Sequence, residues 1–400
     1  MMVYRILKVA IEVGLLSAVS VLAQNTCGNT KLECLLPTAL HTNTPTFNFF
    51  NQTFATQIGQ LPLATPASGF IFTFDKQKGV YTAAQESFGP LAAERAETIG
   101  YHKVYLAFTY QRFAFDELYG NSLGKLPLVF LYPSPQSPLV VTTTSNRIDT
   151  KVNQYVGFLT YGISRNLDIS IAVPFSRIAL GVSTVGTEYS TNTPAKASFN
   201  QTLAGSASGI GDVVLAGKGT IYKGDKYGVA AGMELRLPSG DEKNFLGSGA
   251  IGLKPYVALA RRGRIAPHLN LIYQWNSNSA LNTNANGAQQ SLPQFFGYTF
   301  GADISLLKRA TFAADLVGQH FFDAPGITSA NEHSYPVNNG SMPFPTVQQI
   351  SDDYDVDNLA LGLKINPLNK LLLLGNATIK LNDGGLRATV VPLVGISYSF

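Results

Sequence analysis

The chain reads as an all-β protein: a transmembrane, antiparallel, up-and-down β-barrel of twelve strands, or fourteen if one further hairpin joins it. Three observations predict this. Apolar and polar residues alternate with a period of two through a series of segments, each about as long as a tilted strand that crosses a bilayer. The connections between those segments alternate short and long. The last segment, ending VVPLVGISYSF, finishes on Phe400 with an apolar or aromatic residue at Val390, Pro392, Val394, Ile396 and Tyr398. A strand with one greasy face separates two environments, here lipid and lumen.

The composition agrees. Only 14% of the 400 residues are charged, against roughly 25% in an ordinary soluble domain. Gly (37), Tyr (18) and Phe (24) are plentiful, while Trp occurs once and Cys twice. The first element is a targeting segment over 1–23. Arg5 and Lys8 form its basic start, Val9 to Leu22 its apolar core, and Val21-Leu22-Ala23 its small-residue cleavage site. That core holds Glu12 and is shorter than the ~20 residues of a spanning helix. Removal of Arg5, Lys8 and Glu12 leaves a net charge of about +3, too small and too scattered for nucleic acid.

Residues 24–96 precede the barrel and carry Pro37, Pro45, Pro62, Pro66, Pro90 and the aromatic patch FNFFNQTF (47–54). Disordered segments are poor in aromatics, so a plug-like or periplasmic segment is expected, folding into the barrel mouth or lumen. Within it GFIFTFDKQKGVYT (69–82) reads as the further hairpin. Cys27 and Cys34 are expected to pair in an oxidising compartment, two free thiols being the alternative.

The barrel occupies 97–400. Its strands are read at 97–116, 148–164, 166–183, 208–223, 226–238, 249–261, 264–277, 292–305, 310–323, 353–366, 369–381 and 386–400. In the fifth, Tyr227, Val229, Ala231, Met233 and Leu235 oppose Gly228, Ala230, Gly232, Glu234 and Arg236. In the seventh, Ile265, Leu269, Leu271, Tyr273 and Trp275 oppose Ala266, His268, Asn270 and Gln274. Short turns sit at SRN (164–166), KGDK (223–226), RRGR (261–264), LKR (307–309) and NPLNK (366–370). Longer links fall at 117–147, 184–207, 239–248, 278–291 and 324–352, and NDGG (382–385) makes the last outer link. Sorting of this kind puts short turns on the periplasmic rim and long loops outside. Unpaired amides in hydrocarbon cost several kcal/mol each, so strands span a bilayer only as a closed cylinder. Tyr161, Phe175, Tyr222, Tyr273, Trp275, Phe321, Phe322, Tyr398 and Phe400 are expected in the interfacial girdles.

Strand parity turns Gln111, Asp212, Lys218, Glu234, Arg236, Lys254, Tyr256, His268, Asn270, Asp303, Asp315, Lys364, Lys380 and Arg387 into the lumen. Their mixed signs suggest ion pairs across the bore, not a selectivity ring of one sign.

The terminal Tyr-x-Phe resembles the signature by which bacterial outer-membrane barrels are recognised by their assembly machinery. GIGDVVLAGKGTIY (209–222) followed by MELRLPSGDEKNFLGSG (233–249) resembles the outer-membrane barrel family named for the meta-pathway of phenol degradation. That family is itself similar to the long-chain fatty acid transporter barrels. The matching features are Gly209-Ile-Gly-Asp212, Leu237-Pro-Ser-Gly-Asp241 and Leu246-Gly-Ser-Gly249. The resemblance covers roughly 148–400. It implies passage of small hydrophobic or aromatic compounds across the outer membrane. The transporters' hatch carries Asn-Pro-Ala, where this chain has only Ala64-Thr-Pro-Ala67 and Leu36-Pro37-Thr-Ala39. Leu237-Pro-Ser-Gly-Asp241 also has a plain role, with Pro ending a strand and Gly-Asp starting an outer loop.

Enzyme readings find little support. The histidines (His41, His102, His268, His320, His333) lack metal-ligand spacing, and no cofactor or metal is expected. GSASG (205–209) has Ala207 where a nucleophile elbow needs serine, and SDDYDVDN (351–358) lacks the glycine and glutamate of a calcium loop. The expected function is therefore a channel or transporter for small hydrophobic solutes in the bacterial outer membrane. Its expected surroundings are lipid and lipopolysaccharide, with the barrel assembly machinery meeting Phe400. The alternatives are a structural or adhesive barrel with a closed lumen and, further off, an outer-membrane hydrolase.

Overall fold

The structure is a computed structural model that describes residues 31–36, 45–63, 72–75, 80–83, 87–132, 139–284, 287–368 and 370–400. The targeting segment and Cys27 lie outside the described residues. The barrel strands are β1 (Val104–Phe115), β2 (Val140–Gly162), β3 (Leu167–Ser190), β4 (Val214–Lys223), β5 (Tyr227–Arg236) and β6 (Gly252–Arg261). They continue with β7 (Ile265–Asn276), β8 (Gln294–Leu307), β9 (Ala310–Ile327), β10 (Gln349–Leu368), β11 (Leu371–Lys380) and β12 (Val390–Ser399).

Each strand pairs antiparallel with its neighbours in sequence, and β12 returns to β1 in the register Leu393↔Gln111 to Ser399↔Tyr105. The ring closes at twelve. Every expected strand segment contributes one of them. Closure leaves no edge in the hydrocarbon, the only way a sheet satisfies its amides there. The period-two pattern does the sorting. Leu215, Met233, Val257, Leu271, Phe300, Leu373 and Ile396 are exposed on the outer face, while Gln111, His268, Asn270, Asp303, Asp315 and Lys364 are buried inside. Phe175, Tyr222, Tyr273, Trp275, Tyr398 and Phe400 are exposed on the lipid side. Phe321 follows its own parity inward instead, stacked on Tyr354 with ring centroids 4.8 Å apart.

β2 and β3 have 23 and 24 residues, about twice the 9–11 that a span needs. Beyond the apolar band their outer halves pair with two extra strands, Leu126–Tyr132 on β2 and Lys196–Ile210 on β3. The result is a four-stranded extension whose outer face carries hydroxyl pairs such as Ser183–Thr202 and Thr187–Ser198.

Several boundaries differ from the sequence reading, among them the start of β2 at Val140, the end of β3 at Ser190 and the start of β4 at Val214. Phe72–Asp75 pairs with Val80–Ala83 as a separate two-stranded sheet, so the hairpin adds nothing to the barrel. The first strand begins at Val104 and not near 97, because Gly100 and His102 take positive φ (105° and 54°) and break the extended run. The last begins at Val390, since Leu386–Arg387 pairs with Glu117–Leu118 above the bore.

Candidate functional site

Two stretches of the chain before β1 fill the lumen. The first lies at the long-loop end. Helix α1 (Pro45–Ile58) starts on a proline, whose missing amide costs nothing at a first helical position. Phe54, Ala55 and Ile58 share one face and are buried with Leu32, Leu36, Phe113, Phe115 and Phe245 in the main apolar cluster. Polar stitches fix the helix to the loops around it. Gln52 Nε2 donates to the Thr283 carbonyl at 2.8 Å, the Gln57 side-chain oxygen accepts from the Leu386 amide, and Asn276 donates to Gln60 at 2.9 Å. Gly59 follows the helix, where a Cβ would stand 3.1 Å from the Gly247 carbonyl. Lys31 pairs with Asp241 at 2.6 Å, so Leu237-Pro-Ser-Gly-Asp241 ends β5 and also docks the N-terminal segment. Cys34 is buried and disulfide-bonded.

The second stretch, residues 87–99, crosses the short-turn end. On the β8–β10 side the Leu91 and Ala92 amides both donate to Asp315 Oδ2 at 2.8 Å. Ser87 donates to Asp303, and Lys364 Nζ donates to the carbonyls of Phe88 and Pro90. His268 stands between Asp303 (3.1 Å) and Asp315 (2.9 Å). Asp315 and Lys364 are 0% exposed, and charges so buried persist only when paired and hydrogen-bonded like these. On the opposite wall Glu94 meets Lys218 at 3.2 Å and Glu97 meets Arg262 at 2.8 Å. Thr220 donates to the Ala96 carbonyl at 3.0 Å, and the Ile99 amide donates to Asp168 Oδ2 at 2.8 Å. Asn270 faces the backbone of Glu94. Arg95 is buried within the segment, and burial pulls its pKa below the ordinary arginine value against the opposing field of Asp303.

Between the two plugs lies a chamber of about 190 Å³. Its ceiling is Ile58–Leu63 with Phe245–Gly247, and its floor is Glu94 and Ile99. β2 and β3 supply a mixed wall, with Val152, Phe158, Ala172, Pro174 and Ile178 beside Gln154, Thr160, Asp168, Ser170 and Ser176. The facing wall carries Asp212–Arg236 (3.8 Å), Glu234–Lys254 (2.6 Å) and Lys218 with its plug partner Glu94.

Asp212, Lys218, Glu234, Arg236, Lys254 and Tyr256 therefore meet around the chamber. The other parity-selected residues hold filling in place. Gln111 donates to the Pro62 carbonyl at 2.8 Å; His268, Asn270, Asp303, Asp315 and Lys364 grip or face the inner plug. Lys380 pairs with Glu117 and with Asp383, and Arg387 donates to the Asp357 carbonyl and to Asn358 at 2.8 Å. The ion pairs run sideways between neighbouring strands, from wall to plug, or to an outer link as Lys380–Glu117 does, not across an open bore, because the plugs occupy the space between. Asp168 was open to the same parity argument, since Leu167, Ile169 and Ile171 face lipid. Glu94 sits outside any alternating segment, and Ile99 falls in the part of the expected first strand (97–116) that is irregular in the structure. Among the described residues no cluster of His, Cys, Asp or Glu is suited to a metal ion.

Residues 134–336, just over half of the chain, match the model of the family described as "Putative MetA-pathway of phenol degradation". No curated protein sequence matches. Among solved structures the barrel is similar to an outer membrane channel from Pseudomonas putida F1, at 13% identity and a TM-score of 0.45 over 76% of this chain and 98% of that one. It is also similar to a FadL homologue from Pseudomonas aeruginosa, at 10% identity and a TM-score of 0.31 over 85% and 98%.

Proposed function

We propose a function on the premise that the chain belongs to the MetA-pathway of phenol degradation family: it is a bacterial outer-membrane β-barrel that works as a channel for passive uptake of small, hydrophobic molecules. The observation that carries the reading is the filled lumen, a chamber held between two plugs, the inner of which is fixed to the walls by polar contacts. Such contacts exchange for water when a plug shifts, so a plug of this type can open and close again. The chamber is of a size for one small ring, since a 150 Å³ apolar cavity holds benzene. Solute is the partner inside, and lipid with lipopolysaccharide surrounds the outer face. The assembly machinery is proposed to meet the closing strand at Phe400. The Cys27–Cys34 disulfide and the division at 24–96 belong to the same proposal, the disulfide tying down the start of the outer plug.

A second reading is favoured by the four-stranded extension beyond the band: a structural or adhesive barrel whose lumen stays shut. The two are separated in planar bilayers. The full chain should show rare openings, and a variant lacking 24–96 a steady conductance, each with the heat-modifiable mobility of a closed barrel. No current from either variant, with the barrel folded, excludes the channel and leaves the structural reading. No hydrolase is proposed.

A further inference from the structure

We propose that the chamber binds an uncharged small molecule carrying a hydroxyl group, with its apolar body on the β2–β3 wall and its hydroxyl at Asp168; this rests on the channel reading above. The chamber has two unlike faces. The β2–β3 wall sets apolar Val152, Phe158 and Ile178 beside Asp168 and a few neutral polar side chains; the other carries paired charges. A bare hydrocarbon would match only the apolar part of the first.

Unmet hydrogen-bonding capacity points to the missing group. Asp168 lines the chamber and is 1% exposed. Its Oδ2 accepts from the Ile99 amide at 2.8 Å, while Oδ1 has no hydrogen-bond partner among the described residues. Toward the other end, Arg236 also lines the chamber; its Nε makes no hydrogen bond among the described residues and has only the Asp212 carboxylate at 3.8 Å. A buried acceptor and a buried donor left unmet each cost free energy, and native interiors rarely tolerate either without a bound partner. A hydroxyl both donates and accepts, so it answers either site.

The charges exclude the acids. Asp212 stands against Arg236, Glu234 against Lys254 and Glu94 against Lys218. Asp168 is the lining carboxylate with no ion pair of its own among the described residues, since Lys218, opposite it in the ladder, is engaged by Glu94. A carboxylate ligand would bring a second negative charge to an enclosed site that already holds one too many, a penalty enlarged by the low dielectric. A neutral alcohol meets no such field.

Three single-ring probes of similar size test this: benzyl alcohol, toluene and benzoate, titrated calorimetrically into the full chain in detergent at neutral pH, with detergent-only titrations subtracted. Benzyl alcohol should bind about tenfold or more tightly than either of the others, the worth of one hydrogen bond to a charged acceptor. In Asp168→Ala the preference over toluene should shrink severalfold while toluene binding stays put. Equal binding of toluene or benzoate in the wild-type chain overturns the proposal, as does an undiminished preference in a folded Asp168→Ala barrel. Because Asp168 also holds Ile99, the wild-type series stands alone if the variant fails to fold. Selective binding by a protein that passes no current supports this site and sinks the channel reading; current without selectivity does the reverse.

Discussion

Asp315→Ala removes the acceptor that holds the inner plug at its β8–β10 end. The carboxylate is fully buried and accepts two backbone amides, Leu91 and Ala92, each at 2.8 Å. A hydrogen bond to a charged group contributes about 1.5–3 kcal/mol, so the pair holds the plug by about 3–6 kcal/mol. In the variant the freed amides find water only when the plug lifts away, which shifts the closed-to-open ratio by about two to four powers of ten. The barrel should survive, since β9 keeps its ladders to β8 and β10. Asp315→Asn retains an acceptor without the charge and should fall between. Open probability in planar bilayers reads the effect, and heat-modifiable mobility shows that the barrel has closed. An Asp315→Ala barrel that is folded and opens within about twofold of the wild type would refute the reasoning, because that difference is under half a kcal/mol.

Three further outcomes are expected. A Cβ on Gly228 would stand 3.1 Å from the Ala96 Cβ, near the separation a disulfide spans; Ala96→Cys with Gly228→Cys should abolish openings when oxidised and regain them with reductant, and an unchanged current in the oxidised form counts against a moving plug. Lys254→Met leaves Glu234 without its 2.6 Å partner at a site about a quarter exposed. It should cost about 1–2 kcal/mol, between surface and buried pairs, in urea unfolding from detergent, with Glu234→Gln/Lys254→Met recovering most of it. Finally, the hydrogen bond from Lys31 holds the Asp241 carboxyl below its ordinary range. The stabilisation is complete above the unfolded-state value and is lost as pH falls through the folded one. Exchange protection of the Leu32 amide, which donates to Asn244 at 3.1 Å, should thus hold from neutral pH to about pH 4 and decay below it; a flat profile would break the link.

The strands were legible because a barrel wall is a local problem. Whether Met233 or Glu234 faces lipid depends on residue parity, and Gly224 to Lys226 can make only a tight turn. The error at Phe321 came from reading it as part of an aromatic pair at a strand end; parity alone turns it inward. Glu94, Ile99 and Phe245 left no comparable trace. They reach the chamber from irregular segments, and no period governs a segment whose partners lie more than a hundred residues away, as Leu91 and Asp315 do.

By itself, then, the sequence determined the cylinder: its twelve spanning segments (with a fourteen-stranded ring left open), its lipid face, its sorted rims and the parity of its polar side chains. All of these follow from hydrogen-bond closure and a period of two. Only the tertiary structure decided what fills it. The grip of Asp315 and Lys364 on residues 87–92, the seat of α1 under the loops, and the chamber between them arise from long-range polar contacts. Their energy depends on burial, and burial exists only once the ring is shut.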